Sequence, residues 1–167
     1  MNIHPIIVHF PIAFLFIWSL CELLPISRWF NSVNWTPIKN FLIVIGFLGG
    51  WVAQMTGEIA EELVGETELV NTHSAFAQAS MILFGIFAVE VVINFLKTKY
   101  FNIYYKFGIL AKIVDKALQL IQNKPFRFLL VLLALIAIFV TGVLGGVLVY
   151  GTSADPLAPF VLKILGL

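Results

Sequence analysis

Residues 126–150 read FRFLLVLLALIAIFVTGVLGGVLVY. Arg127 is the one charged side chain in this run. As a helix rising about 1.5 Å per residue, the run crosses the roughly 30 Å hydrocarbon core of a bilayer. Pro125 suits its first turn and Gly151 its end. Three further runs have the same character. Residues 5–24 are closed by Pro25, residues 38–56 are opened by Thr36-Pro37, and residues 73–96 follow Asn71 or Thr72 as N-cap. The whole chain is 60% hydrophobic and 11% charged, with a mean hydropathy of +1.00. Soluble domains carry about 25% charged residues. The expectation is an all-α integral membrane protein. It is one transmembrane domain, 1–167, built as an antiparallel four-transmembrane-helix bundle.

Charge placement sets the orientation. Call the side holding the N-terminus the first side. Residues 57–72 join the second and third runs there and carry Glu58, Glu61, Glu62, Glu66 and Glu68, with no Lys or Arg. The opposite side holds Arg28, Lys39, Lys97, Lys99, Lys106, Lys112, Lys116, Lys124 and Arg127, so only Lys163 of the 10 basic residues stands apart. The excess of cations marks the opposite side as cytoplasmic. Both termini then face the periplasm of a bacterial inner membrane. Residues 104–122 on the cytoplasmic side alternate apolar and lysine positions at helical spacing, as in an amphipathic helix lying in lipid headgroups. The apolar tail after Asp155-Pro156 is too short to span and reads as a second surface helix. No basic leader or small-residue cleavage site precedes the first run, which is expected to serve as its own insertion signal. The single Cys21 sits in an apolar run and reads as a small buried hydrophobe.

The first run is entered through His4-Pro5-Ile6-Ile7-Val8-His9-Phe10-Pro11. The third of the chain's 3 histidines, His73, opens the third run on the same side. Glu58 and Glu61 follow the second run there. Topology therefore gathers three imidazoles and at least two carboxylates at one end. Ionisable groups near membrane depth are costly and tend to mark function. Two chemistries fit. In the first, His9 and His73 ligate a b-type haem, whose iron takes two neutral imidazoles and passes electrons. Gly49 and Gly50, with Gly46 nearby, and Gly145 and Gly146, with Gly142 nearby, lie at similar depth and would leave room for a flat macrocycle. Ala13, Ala77 and Ser80 keep the ligand faces small. The bland reading of these glycines is close helix packing. In the second, His4, His9, His73, Glu58 and Glu61 hold a bare zinc, copper or iron ion. Glu22, Glu90, Gln54 and Gln78 are further intramembrane polar residues; the first two lie near basic residues able to pair with them.

The motifs HPxxVHxP at residues 4–11, Gly57-Glu58-Ile59-Ala60-Glu61 after the second run, Thr72-His73, and Gly145-Gly146-Val147-Leu148-Val149-Tyr150 resemble a bacterial transmembrane family, domain of unknown function 2231. Where many members continue with a His-Gly pair, this chain has Gly151-Thr152. The resemblance implies a four-span bacterial membrane protein. It also implies a redox setting, since members occur fused to or beside c-type cytochrome and Rieske-type domains. A periplasmic c-type cytochrome or other redox protein is the partner this suggests. The reading is thus an electron carrier or binding module rather than a stand-alone enzyme. A cofactor-free accessory subunit, in a homo-oligomer or larger membrane complex, stays open beside it. Nothing in the sequence supports nucleic-acid binding, and there is no P-loop, dinucleotide fingerprint, CxxC, CxxCH, HExxH or plausible serine triad.

Overall fold

The computed structural model describes residues 4–153 and 156–167, so Asp155 of the expected tail lies outside the described residues. The described residues form helices joined by turns: α1 (His4–Ile7), α2 (His9–Leu23), α3 (Ile26–Trp29), α4 (Trp35–Val64), α5 (Glu68–Lys99), α6 (Phe101–Tyr104), a 3-10 turn (Tyr105–Phe107), α7 (Ile109–Gln122), α8 (Lys124–Tyr150) and α9 (Ala158–Leu165). Three are long and apolar enough to cross a membrane, over Trp35–Glu62, Glu68–Lys99 and Lys124–Tyr150; α2 is a shorter apolar helix.

Caps explain the boundaries. The Asn34 side chain accepts from Thr36 N–H at 3.3 Å to start α4. The Asn123 side chain accepts from Phe126 N–H at 3.4 Å to start α8. Between α4 and α5 the outcome differs from the sequence expectation of a long acidic loop over 57–72. Thr67, not Asn71 or Thr72, caps α5, taking Val70 N–H at 3.2 Å. Glu68 then sits in the first turn, where a carboxylate complements the helix dipole. On the other flank α4 continues to Val64 and stops at Gly65, whose φ of 86° suits a residue without a side chain. The acidic segment is therefore mostly helical, and His73 lies inside α5 rather than at its mouth.

Four apolar helices pack in a ring: α2 on α4 and α8, α5 on α4 and α8. Leu15, Trp18, Ile43, Phe84, Phe87 and Val131 are fully buried at its centre, with Trp18 edge-on to Phe84. Along α2 and α4, residue numbers fall on one helix as they rise on the other. Glu22 meets Lys39, and the faces of Gly46, Gly49 and Gly57 receive Leu15, Pro11 and His4. The same opposition holds between α5 and α8, from Glu90 with Arg127 to His73 against Gly145. Arg127 and Gly145 are separated by about 27 Å of helix, close to a bilayer core. The outer surface carries exposed Phe41, Leu48, Ile82, Val92, Phe128 and Ile136, a face suited to lipid and unlike that of a water-soluble monomer.

One ionic cluster ties the ring at a single end. Arg127 Nε donates to Glu22 at 2.7 Å and its Nη1 to Glu90 at 2.7 Å. Lys39 reaches Glu22 at 2.9 Å, and Gln122 donates to Glu90 at 3.2 Å. The guanidinium also lies 5.0 Å from the Phe87 ring centroid and 6.0 Å from that of Trp18. α7 runs back along α5. Lys97 pairs with Asp115 at 2.6 Å at one level, and Glu90 meets Gln122 at the next. Tyr104 also donates to Asp115 at 3.0 Å; Lys97, followed by this hydroxyl, holds the Asp115 carboxyl below its ordinary range. The amphipathic helix expected over 104–122 thus begins at Ile109, because Gly108 breaks the preceding turn with a φ of 56°. At the far end α9 packs Ala158 and Val161 on Val140, Val143, Leu144 and Val147 of α8.

Removing Arg127 strands two mostly buried carboxylates. Arg127→Ala is expected to cost about 3–5 kcal/mol, as for other broken buried ion pairs. A denaturant titration in detergent measures it. Glu22→Gln combined with Glu90→Gln in the same background is expected to recover a large part of the loss.

Candidate functional site

Two of the three histidines come within electrostatic range of each other at the end opposite Arg127. α1 runs into α2 through Val8, whose backbone stays helical at φ −66° and ψ −25°. It lays His4 against α4, with ring Cε1 3.1 Å from where a Cβ on Gly57 would stand. His4 Nδ1 lies 3.0 Å from Thr56 Oγ1. The single hydroxyl proton of Thr56 points to the Ala53 carbonyl at 2.9 Å. With its own proton so engaged, Thr56 Oγ1 is available to accept from His4 Nδ1. Burial holds the His4 pKa below its ordinary value, opposed by a hydrogen bond to the Ala53 backbone.

His73 comes from the second turn of α5. Its Cε1 lies 3.2 Å from where a Cβ on Gly145 would stand, so this glycine lets the imidazole seat on the α8 backbone. The ring is within electrostatic range of His4 and Glu61 and beside the Thr141 backbone. Ser74, next in sequence, donates to Glu61 Oε2 at 3.0 Å and fixes that carboxylate. Nδ1 of His73 is buried and has no hydrogen-bond partner among the described residues. A buried polar atom left so costs about 1–3 kcal/mol.

The other residues singled out in the sequence fall as follows. His9 is exposed on α2, and His4 lies within electrostatic range of His73. Glu58 is exposed on α4, whereas Glu61 is half-buried. Gly49 is packed by Pro11, and a Cβ on Gly50 would stand 2.5 Å from Met81 Sδ. Those two glycines admit Pro11 and Met81 of the neighbouring helices. Gly142 and Gly146 have nothing within 4 Å of an added Cβ. Ala77 is half-buried, one turn beyond His73, and Ser80 is buried with its hydroxyl on the Phe76 and Ala77 carbonyls. Among the described residues no group of three or more His, Cys, Asp or Glu converges to hold a metal ion. Sequence reasoning missed Thr56, Ser74 and Thr141. Thr56 immediately precedes Gly57 and Ser74 follows His73, so both adjoin residues the motifs had already marked.

Long apolar helices, lipid-suited surfaces and a polar site near one end define a helical membrane protein. The chain belongs to the family described as predicted membrane protein, DUF2231, which matches residues 1–155. Neither a curated protein nor a solved structure matches it.

The depressed pKa of His4 gives a signed pH dependence. His4 folds best neutral. Its contribution is full above the unfolded value of about 6.5 and is lost as pH falls below that toward the folded value. Unfolding midpoints between about pH 7 and about pH 5 are expected to drop less steeply in His4→Gln than in the parent chain.

Proposed function

We propose that this chain is an antiparallel four-span module of a bacterial inner membrane, both termini periplasmic, that carries a redox-active transition-metal centre on His4 and His73. α2, entered through α1, serves as the fourth span. The observation that carries the reading is the buried Nδ1 of His73, without a hydrogen-bond partner among the described residues, within electrostatic range of the His4 imidazole. A ligating histidine typically has its other ring nitrogen fixed by a hydrogen bond, as Thr56 does for His4. Two neutral imidazoles are the donor set of a b-type haem, which supplies one-electron transfer when bound. Structural sites for a bare zinc ion usually use four protein ligands, and catalytic ones three. That favours haem iron over a bare ion on this pair.

The chain's own groups do the rest. Thr56 holds His4 Nδ1 by a hydrogen bond. Gly57 and Gly145 let both rings lie close to backbone. Glu61, held by Ser74, places a carboxylate within electrostatic range of His73. Exposed Glu58, Glu62, Glu66 and Glu68 give the same end a negative rim. Such a rim would steer a lysine-bearing periplasmic electron carrier to it.

An absorption spectrum of the purified protein is expected to show a Soret band that shifts on reduction. His4→Ala and His73→Ala should each abolish the shift or change its ligation signature, while His9→Ala keeps it. No Soret band with stoichiometric metal by elemental analysis would replace haem by an ion. No Soret band and no metal would leave a cofactor-free accessory subunit.

A further inference from the structure

A groove of about 210 Å³ opens between α2 and α8, with Ile12 and Phe16 on one wall and Phe139 and Gly142 on the other. Phe16 and Phe139 are both exposed and form its rims toward lipid. A Cβ added to Gly142 would meet nothing within 4 Å, so the α8 wall is hollow at that level.

His9 belongs to this groove by helix phase. Seven residues of α-helix turn through about 700°, so His9 stands within about 20° of Phe16 and about 10 Å further along the same face. Ile12, the other α2 wall residue, lies between them, just under one turn from His9. α8 runs antiparallel to α2 and continues the groove in the same direction. One turn beyond Gly142 comes Gly146, which also has nothing within 4 Å of an added Cβ. His9 is exposed. The seam is thus apolar and flanked by phenyl rings where it is deepest in the bundle, and it ends in an imidazole toward the His4–His73 end.

An apolar slot headed by one hydrogen-bonding group selects an amphiphile, and the local charge selects its kind. Residues 57–72, at the same end, carry Glu58, Glu61, Glu62, Glu66 and Glu68 and no Lys or Arg. That field disfavours a phosphate headgroup, so the head that fits is uncharged. An imidazole can donate to a carbonyl oxygen or accept from a hydroxyl. Phenyl rings offer a flat ring stacked or edge-on contacts. An uncharged ring bearing such oxygens on a long apolar tail is an isoprenoid quinone. The choice of a quinone among neutral amphiphiles rests on the redox reading of this end.

We propose that the groove between α2 and α8 seats an isoprenoid quinone, with His9 hydrogen-bonded to an oxygen of its ring and the start of its tail lying along Ile12 and Phe16. The full chain is reconstituted in phosphatidylcholine nanodiscs carrying ubiquinone and re-extracted in quinone-free detergent. Its retained quinone and phospholipid are then quantified by chromatography. Ubiquinone should be retained near stoichiometrically. His9→Ala should lower that retention severalfold, and Gly142→Leu, whose side chain enters the groove, should abolish it. Gly146→Leu, at the imidazole end, repeats the test if the first glycine variant misfolds. The Soret band of the same samples reports on the haem reading separately. Retained quinone without a Soret band would remove haem and leave this site standing. A parent chain that retains no quinone, or retains phospholipid in its place, would overturn the site whatever its Soret band. Undiminished quinone in the folded His9→Ala and glycine variants would overturn it as well.

Discussion

A single guanidinium, that of Arg127, sets the register of this molecule. It reaches Glu22 on α2 and Glu90 on α5, while Lys39 on α4 completes the charge balance at Glu22. All four packed helices thus contribute to one neutral cluster. A charge this far into an apolar setting has few alternatives to pairing, and sliding any helix by a turn would leave a carboxylate or a cation uncompensated. Apolar packing alone is permissive: Leu15, Phe84 and Val131 would find apolar contacts in several registers. The ion cluster selects among them.

What the cluster fixes at one end is read out at the other. Glu22 lies as far from His4 along the chain as Lys39 does from Gly57, so pairing the first two brings the second two together. The pairing of Glu90 with Arg127 likewise brings His73 onto Gly145. The histidine site is therefore a product of helix register as much as of local motif. Its glycines accept an imidazole each, and Thr56 holds Nδ1 of His4. The acidic and basic ends of the molecule consequently differ in kind. One is a closed set of satisfied charges. The other holds a buried nitrogen without a partner among the described residues.

Much of this was legible in the sequence. Apolar runs and their Pro, Asn and Gly punctuation located the long helices, and the segregation of Glu from Lys separated the two ends. Two things were hidden. The helical continuation of the acidic segment depended on Thr67 winning the cap from Asn71 and Thr72, a choice among similar residues that sequence alone does not rank. The choice between His4 and His9 turned on helix phase. The backbone stays helical through Val8, and five residues of continuous helix place the two rings on different faces, His4 against Gly57 of α4 and His9 exposed. The partners of Glu22 and Glu90 lie far away in sequence, so their pairing needed the register first.

The convergence of His4 with His73 is tested most directly by cross-linking. In a Cys21→Ser background, His4→Cys with His73→Cys should be bridged efficiently by a short bifunctional thiol reagent in native membranes. His9→Cys with His73→Cys should not. Bridging of the second pair in preference to the first would contradict the arrangement and, with it, the role assigned to His4.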